Sequence, residues 1–175
     1  VGRSVAVPDL AGKTPEQVVE LLRTLHQRHP ERAVLATRLE TAAIDLVATQ
    51  LPEAEIDHVA RAVTLGPLPT ARGTVAIIAA GTSDAPVAAE AALAVRVHGS
   101  AVVRIDDVGV AGIHRLLEAR DRFADADCLI VVAGMEGALP SVVGGLVGVP
   151  LVAVPTSVGY GASFGGLAAL LAMLN

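Results

Sequence analysis

The stretch DCLIVVAGMEGALPSVVGGLV, residues 127–147, decides the fold class. Residues 127–133 contain an apolar run of strand length, and residues 138–147 follow with a helical pattern. The run is apolar at successive positions rather than at alternate ones, so both faces of this strand must be covered. The stretch therefore predicts one strand–loop–helix unit of a parallel sheet that has helices on both sides.

The same strand–helix rhythm occurs four times in the second part of the chain. We predict strands at residues 74–80, 101–105, 127–133 and 150–155, and helices at residues 84–98, 109–122, 138–147 and 164–174. This alternation is typical of a doubly wound parallel sheet with right-handed crossovers. The predicted fold class is therefore α/β, with three layers in the order α/β/α.

The first 66 residues follow a different pattern. Thr14-Pro15-Glu16-Gln17 predicts a helix start, with Thr14 as the N-cap of a capping box and Pro15 in the first turn. The pattern then predicts a strand at residues 33–38, a helix at 40–49 and one or two short strands within 55–65. Gly66-Pro67-Leu68-Pro69 is a linker candidate. We therefore predict a small N-terminal α+β appendage at residues 1–66 and an α/β domain at residues 67–175.

Composition excludes several classes of protein. The 175 residues are 53% hydrophobic but only 2% aromatic, and no apolar run is long and unbroken enough to predict a membrane span. A net charge of −5 with a single lysine, Lys13, argues against a broad nucleic-acid surface. The single cysteine, Cys128, excludes an internal disulfide framework and a cysteine-based zinc site. No signal peptide is visible, so we expect a cytoplasmic protein with neither membrane nor nucleic acid as partner.

Small, polar, glycine-containing loops follow all four predicted strands. They are Gly81-Thr82-Ser83-Asp84, Asp106-Asp107-Val108-Gly109, Gly134-Met135-Glu136-Gly137 and Thr156-Ser157-Val158-Gly159-Tyr160-Gly161. The carboxyl ends of parallel strands meet at one edge of the sheet, and each loop leads into a helix whose first N–H groups face that edge. The loops therefore predict a pocket for an anion or a nucleotide.

Each loop also has a purely structural interpretation. Ser83 and Asp84 are common helix caps, and Asp106 and Asp107 are compatible with a solvated loop. Glu136 is harder to explain in this way, because it stands between two glycines after an apolar strand, where a cap would be Ser, Asp or Asn. The glycines of residues 158–166 fit close approach to a ligand or tight packing between subunits.

Other chemical signatures are absent or weak. The sequence contains neither a P-loop nor a Rossmann fingerprint, since Gly134 and Gly137 have no third glycine in register. His114 is more typical of a helix surface than of a catalytic base. Cys128 starts a predicted strand, at the end opposite the expected pocket, so we expect a buried and inert thiol.

The loops resemble those of the LarB family, the pyridinium-3,5-biscarboxylic acid mononucleotide synthases of nickel-pincer cofactor assembly. The segments that carry the resemblance are GKTPE at residues 12–16, GTSDAPVA at 81–88, DVGVAG at 107–112, AGMEGALPSVVGG at 133–145 and VPTSVGYGASFGG at 154–166. This family is similar to the purE-type aminoimidazole ribonucleotide carboxylases and mutases. The resemblance implies a purE- or flavodoxin-like fold and a homo-oligomer built from dimers, up to an octamer.

The resemblance also implies an activity. The substrate would be nicotinic acid adenine dinucleotide, carboxylated at C5 of the pyridinium ring by carbon dioxide or bicarbonate and then hydrolysed at the phosphoanhydride. Mg²⁺ is the expected ion for that hydrolysis, and no organic cofactor is expected. The alternatives are a purE-type mutase, from which the chain departs by having Ala138 where the mutases carry histidine, and a non-catalytic nucleotide-binding protein.

Residue roles follow from the resemblance. The family adds a cysteine thiolate to the ring, and this cysteine stands in an Asn-Ser-Cys sequence after Ala-Met-Leu. We therefore expect that cysteine two positions after Asn175, in a domain that continues with at least one more strand.

Glu136 and Asp107, brought together from neighbouring strand ends, are the acid/base and metal-positioning candidates. The substrate-binding candidates are Gly81, Thr82, Ser83, Asp84, Gly134, Met135, Gly137, Leu139, Pro140, Ser141, Ser157, Gly159, Tyr160, Gly161 and Ser163. Among them, Ser83, Asp84 and the N–H groups after Gly81 should hold a phosphate or carboxylate. Ser157, Tyr160 and Ser163 should line the ring or ribose side.

Overall fold

The computed structural model describes residues 4–6, 10 and 12–175. These residues form two compact units, one from Val1–Arg72 with Leu93–Ser100 and the other from Gly73–Ala92 with Ala101–Asn175. Residues 1–3, 7–9 and 11 of the predicted appendage lie outside the described residues. The boundary expected between residues 66 and 67 stays a prediction.

The N-terminal unit has a small mixed sheet and two helices. Its elements are β1 (Ser4–Ala6), α1 (Pro15–Arg28), β2 (Ala33–Ala36), α2 (Thr41–Gln50), β3 (Glu55–Asp57) and β4 (Ala62–Leu65), and the strand order is β1-β2-β4-β3. β1 is parallel to β2, and the other pairs are antiparallel. The helices pack on each other through buried aliphatic side chains such as Leu22 and Val47. The sequence does not predict β1, because three residues are too few to show a period.

The start of α1 confirms the predicted capping box. The Gln17 N–H donates to Thr14 Oγ1 at 3.4 Å, and the Thr14 N–H donates to Gln17 Oε1 at 3.0 Å. Pro15 occupies the first helical position, where a missing N–H has no cost. A short local pattern was sufficient here because every partner lies within one helical turn.

The second unit is built on a parallel four-stranded sheet. Its strands are β5 (Thr74–Ala79), β6 (Ala101–Ile105), β7 (Cys128–Ala133) and β8 (Leu151–Pro155). The helices that follow these strands are α3 (Ala85–Val97), α4 (Ile113–Glu118), α5 (Leu139–Gly144) and α6 (Leu167–Met173), and the division between the units falls within α3, after Ala92. The strand order is β6-β5-β7-β8, with every pair parallel. This order confirms the predicted doubly wound, flavodoxin-like α/β fold. Short 3-10 turns precede α3, α4 and α6, so these helices begin later than the periodicity predicts.

Buried apolar side chains pack against the parallel sheet, and the register of its strands aligns their carboxyl ends. Ile78, Leu129 and Val131 of the sheet are buried against Leu116 and Phe123 on one side. The register pairs Ile78 with Ile105, Ala79 with Val132 and Ala133 with Pro155. The four carboxyl ends therefore meet at one edge.

Among the described residues, no helix combines the length and the apolar character that crossing a bilayer requires.

Candidate functional site

A cavity of about 520 Å³ lies at the carboxyl edge of the parallel sheet. The chain leaves β5 towards β6 on one side and later returns to β7 on the other, so the cavity is at the topological switch point, where such sheets bind ligands. Its wall is formed by residues from the end of β7 and from the loops that follow all four strands. The β5 loop contributes Ala80, Gly81, Ser83 and Asp84, and the β6 loop contributes Gly109, Val110 and Ala111. The end of β7 and its loop contribute Ala133, Gly134, Met135, Glu136, Ala138 and Leu139, and the β8 loop contributes Val158, Gly159 and Tyr160. All four predicted loops thus contribute to one cavity.

The structure brings many of the sequence-predicted candidates into this wall and leaves others out. Gly81, Ser83, Asp84, Gly134, Met135, Glu136, Leu139, Gly159 and Tyr160 line the cavity. Ser163 lines a smaller depression of about 180 Å³, which it shares with Glu136 and Tyr160. Thr82, Gly137, Pro140, Ser141, Ser157 and Gly161 line neither of these two spaces.

Gly137 illustrates why a loop glycine need not face a ligand. Its φ is +68°, and a Cβ at this position would lie 2.8 Å from the Ala169 carbonyl oxygen on α6. A glycine is therefore required for contact between the β7 loop and α6. The substrate-binding role expected for Gly137 has no support from its position.

A buried carboxylate joins two of the loops. Asp84 is 3% exposed, and its Oδ2 accepts the Gly81 N–H at 3.0 Å. Its Oδ1 accepts the hydroxyl of Thr156, also buried, at 2.7 Å. Because β7 lies between β5 and β8, this hydrogen bond links the β5 and β8 loops across the β7 loop. Both carboxylate oxygens of Asp84 thus accept hydrogen bonds within the protein, so Asp84 acts as a positioning residue.

Thr156 is a site residue that the sequence analysis did not select. It belongs to a loop identified as a candidate, yet nothing near it in sequence indicates that its partner is 72 residues away. The sequence analysis also did not select residues 109–111 as site residues. They line the cavity because the Gly109 N–H donates to the Ala80 carbonyl oxygen at 2.8 Å, which holds the β6 loop against the end of β5. A Cβ at Gly109 would lie 2.8 Å from that oxygen, so the glycine was the available signal.

The Asp84–Thr156 hydrogen bond should contribute to the free energy of unfolding, and substitutions of Thr156 test this contribution. Thr156→Val keeps the side-chain shape but removes the donor, which leaves Asp84 Oδ1 buried without a partner. We expect a loss of about 1–3 kcal/mol in the free energy of unfolding, measured by urea denaturation. Thr156→Ser keeps the hydroxyl and should lose less. Equal losses in the two variants would show that the methyl group, not the hydrogen bond, matters at this position.

Glu136 is the exposed carboxylate of the site. It lines both the main cavity and the smaller depression beside it. Among the described residues, no side chain or backbone group donates a hydrogen bond to it. Its carboxylate is therefore available to a ligand, unlike that of Asp84.

The expected pairing of Glu136 with Asp107 needs correction. The strands that carry them, β7 and β6, are not neighbours, because β5 lies between them. Two strand spacings separate their ends, roughly 10 Å. Asp107 lies instead beside Arg115, with Oδ1 and Nη2 3.6 Å apart, and it lines a separate depression of about 360 Å³. Sequence order suggested adjacent loops, whereas the strand order separates them.

The residues present do not form a built magnesium site. Among the described residues, no three His, Cys, Asp or Glu side chains cluster in a way that could hold a metal ion. Within the cavity wall, Asp84 has a hydrogen-bond donor on each carboxylate oxygen, which leaves Glu136 as the available oxygen ligand. Mg²⁺ usually needs carboxylates together with substrate phosphates. The expected ion therefore stays a prediction.

Cys128 and His114 lie outside the cavity wall. Cys128 is the first residue of β7, at the amino end of the sheet, as predicted. It is half-buried rather than buried, because the strand begins at this residue. His114 is exposed on α4, which fits the interpretation as a surface residue.

Comparisons with known proteins agree with this architecture. Residues 10–67 match the LarB/PurE-like N-terminal domain, and residues 74–175 match AIR carboxylase. An uncharacterized protein of Methanocaldococcus jannaschii is 50% identical over 105 residues, which cover 59% of this chain and 40% of that protein. The match to AIR carboxylase alone covers more than half of the sequence. The chain therefore belongs to the AIR carboxylase family, in a LarB-like form that carries the LarB/PurE-like N-terminal domain.

Proposed function

We propose that this protein carboxylates the pyridinium ring of nicotinic acid adenine dinucleotide at C5 and then hydrolyses the phosphoanhydride. The family matches support a function of the carboxylase type. The loop resemblance to the LarB synthases supports the finer assignment. The products would be AMP and pyridinium-3,5-biscarboxylic acid mononucleotide.

The charge of the cavity is the observation that carries this proposal. Its charged side chains among the described residues are the two carboxylates Asp84 and Glu136, and no Lys, Arg or His of the described chain lines it. Carboxylates in a partly enclosed site attract a positive charge more strongly than in water. A ring with a cationic nitrogen fits these walls, and Ser83 and Tyr160 offer hydroxyl donors for the ring carboxylate.

The chemistry needs a nucleophile and a base. A pyridinium ring is electron-poor, so a thiolate must first add to a ring carbon, which turns the ring into an electron-rich dienamine. C5 then attacks carbon dioxide to form the new C–C bond, C5 loses its proton, and expulsion of the thiolate restores the aromatic ring. Glu136 is our candidate for the base that takes the C5 proton. The resemblance implies that this thiolate is supplied by a cysteine that follows Asn175. Cys128 lies at the opposite edge of the sheet.

The second half of the reaction is a hydrolysis. Water attacks one phosphorus atom, and the bond from that atom to the bridging oxygen breaks. The leaving phosphate keeps the bridging oxygen, the attacked phosphate carries the oxygen of water, and the two protons of water pass to the phosphates or to solvent. This step needs no oxidant or reductant. The described residues around the cavity would orient the nicotinate end of the dinucleotide for this step.

The purE-type reaction is the competing assignment. Its aminoimidazole substrate carries no pyridinium cation, and the residue before Leu139-Pro140 is Ala138, which cannot transfer a proton. These two features favour the pyridinium substrate. The competing substrate therefore becomes an arm of the test.

The experiment uses the polypeptide encoded by the complete gene. It is incubated with nicotinic acid adenine dinucleotide and ¹³C-bicarbonate, and the products are identified by mass spectrometry. We expect AMP together with a mononucleotide that carries the heavy carbon, and no product in a heat-inactivated control. Turnover of aminoimidazole ribonucleotide in place of the dinucleotide, or binding of the dinucleotide without any product, would overturn the proposal.

A further inference from the structure

The main cavity cannot easily hold the phosphates of a dinucleotide, because its described wall carries two carboxylates and no cationic side chain. Guanidinium groups do occur next to it, in the depression at the end of β6. We propose that this depression binds the nucleoside monophosphate half of the dinucleotide. The inference rests on the proposed function for the identity of the whole substrate, but it has its own test.

The depression has a volume of about 360 Å³, and its polar side chains are Asp106, Asp107, Arg115, Glu118 and Arg122. Arg115 faces Asp107 at 3.6 Å, which is too long for a direct hydrogen bond, and the two side chains are 45% and 53% exposed. Arg122 donates to the Arg104 carbonyl oxygen at 2.8 Å and forms no ion pair with any described residue. Both guanidinium groups therefore keep donors for a phosphate.

The mixture of charges selects the ligand. Asp106 accepts a hydrogen bond from Arg104 at 2.6 Å, so its charge is already balanced. Asp107 and Glu118 would repel bare inorganic phosphate, but a carboxylate readily accepts hydrogen bonds from ribose hydroxyls. Arginines with carboxylates thus match a phosphorylated ribose better than either a phosphate or a sugar alone.

The loop after β6 connects the two spaces. Residues 106–108 line the depression, whereas residues 109–111 line the main cavity. The Val108 N–H donates to the Ala79 carbonyl oxygen at 3.2 Å and the Gly109 N–H to the Ala80 carbonyl oxygen at 2.8 Å, which holds this loop against the end of β5. A dinucleotide that crosses the loop would place its pyridinium ring beside Glu136 and its other nucleotide beside Arg115.

Calorimetric titration of the complete protein with AMP tests the inference. Arg115→Gln and Arg122→Gln should each weaken AMP binding by about 10-fold or more, the size expected for the loss of a charge-assisted hydrogen bond. Arg120→Gln is the matched control, since Arg120 is exposed, lies two residues from Arg122 and does not line the depression. Nicotinic acid riboside, which has the cationic ring but no phosphate, should occupy the main cavity and should bind all four proteins alike. Melting curves verify that each variant is folded.

The outcomes separate the subsite from the proposed activity. No measurable AMP binding, unchanged affinity in both arginine variants, or an equal loss in Arg120→Gln would overturn the subsite even if the ring is carboxylated. Selective loss of AMP affinity in Arg115→Gln and Arg122→Gln, without any carboxylation by the wild type, would support the subsite and refute the activity. The ribose contact fails if 2′,3′-dideoxy-AMP binds as tightly as AMP.

Discussion

We expect replacement of Glu136 by Gln to lower the rate of the proposed ring carboxylation by roughly 10²–10⁴-fold, the usual contribution of a positioned acid or base. The substitution keeps the size of the side chain and removes its ability to accept a proton. Glu136 is exposed and accepts no hydrogen bond within the described part of the chain, so the fold should be unaffected. Dinucleotide affinity should fall by no more than about fivefold, because an exposed charge contributes up to about 1 kcal/mol.

The measurement combines single-turnover kinetics with ¹³C-bicarbonate and calorimetric titration of the dinucleotide. Asp125→Asn, an exposed change in the same unit but outside the cavity wall, provides the matched loss of one negative charge. It should react at the wild-type rate. Wild-type turnover in Glu136→Gln would remove this residue from the mechanism. Equal losses in the two variants would instead indicate a general effect of net charge.

Among the glycines of the site, Gly134 is the position where an added methyl group, as in Gly134→Ala, should lower the free energy of unfolding most. A Cβ at Gly134 would lie 2.1 Å from the Val158 carbonyl oxygen and 2.7 Å from Thr156 Oγ1. One contact is with backbone, so relief requires movement of the β7 or β8 loop. That movement would break the hydrogen bond from the Met135 N–H to the Val158 carbonyl oxygen, which is 2.9 Å long. We expect a loss of about 3 kcal/mol or more in the free energy of unfolding.

Urea denaturation measures this loss, and Gly144→Ala is the control. Gly144 ends α5, and a Cβ there would meet no heavy atom within 4 Å. An alanine in this helical position should be neutral or stabilising by up to about 1 kcal/mol. If Gly134→Ala were as stable as the wild type, the close approach of the β7 and β8 loops would not exist in solution. Loss of stability in both variants would point to a general intolerance of the unit.

Local patterns determined much of this protein. The Thr14 capping box, the four apolar strands of the second unit and the small polar loops after them could all be predicted, because their defining contacts lie within a few residues. Glu136 also stood out in the sequence, since its glycine neighbours offered no structural explanation. Parallel strands place their loops at one edge, so even the cavity could be anticipated without coordinates.

The tertiary structure alone decided which loops face each other. The strand order puts β5 between β6 and β7, and this separates Asp107 from Glu136 and leaves Asp107 beside Arg115. The Asp84–Thr156 hydrogen bond joins residues 72 positions apart, a pairing that neither loop encodes by itself. Periodicity specifies which residues are buried, but the order of the strands follows from how all helices and strands pack at once. The sequence therefore determined the parts of the site, and long-range packing determined which of them meet.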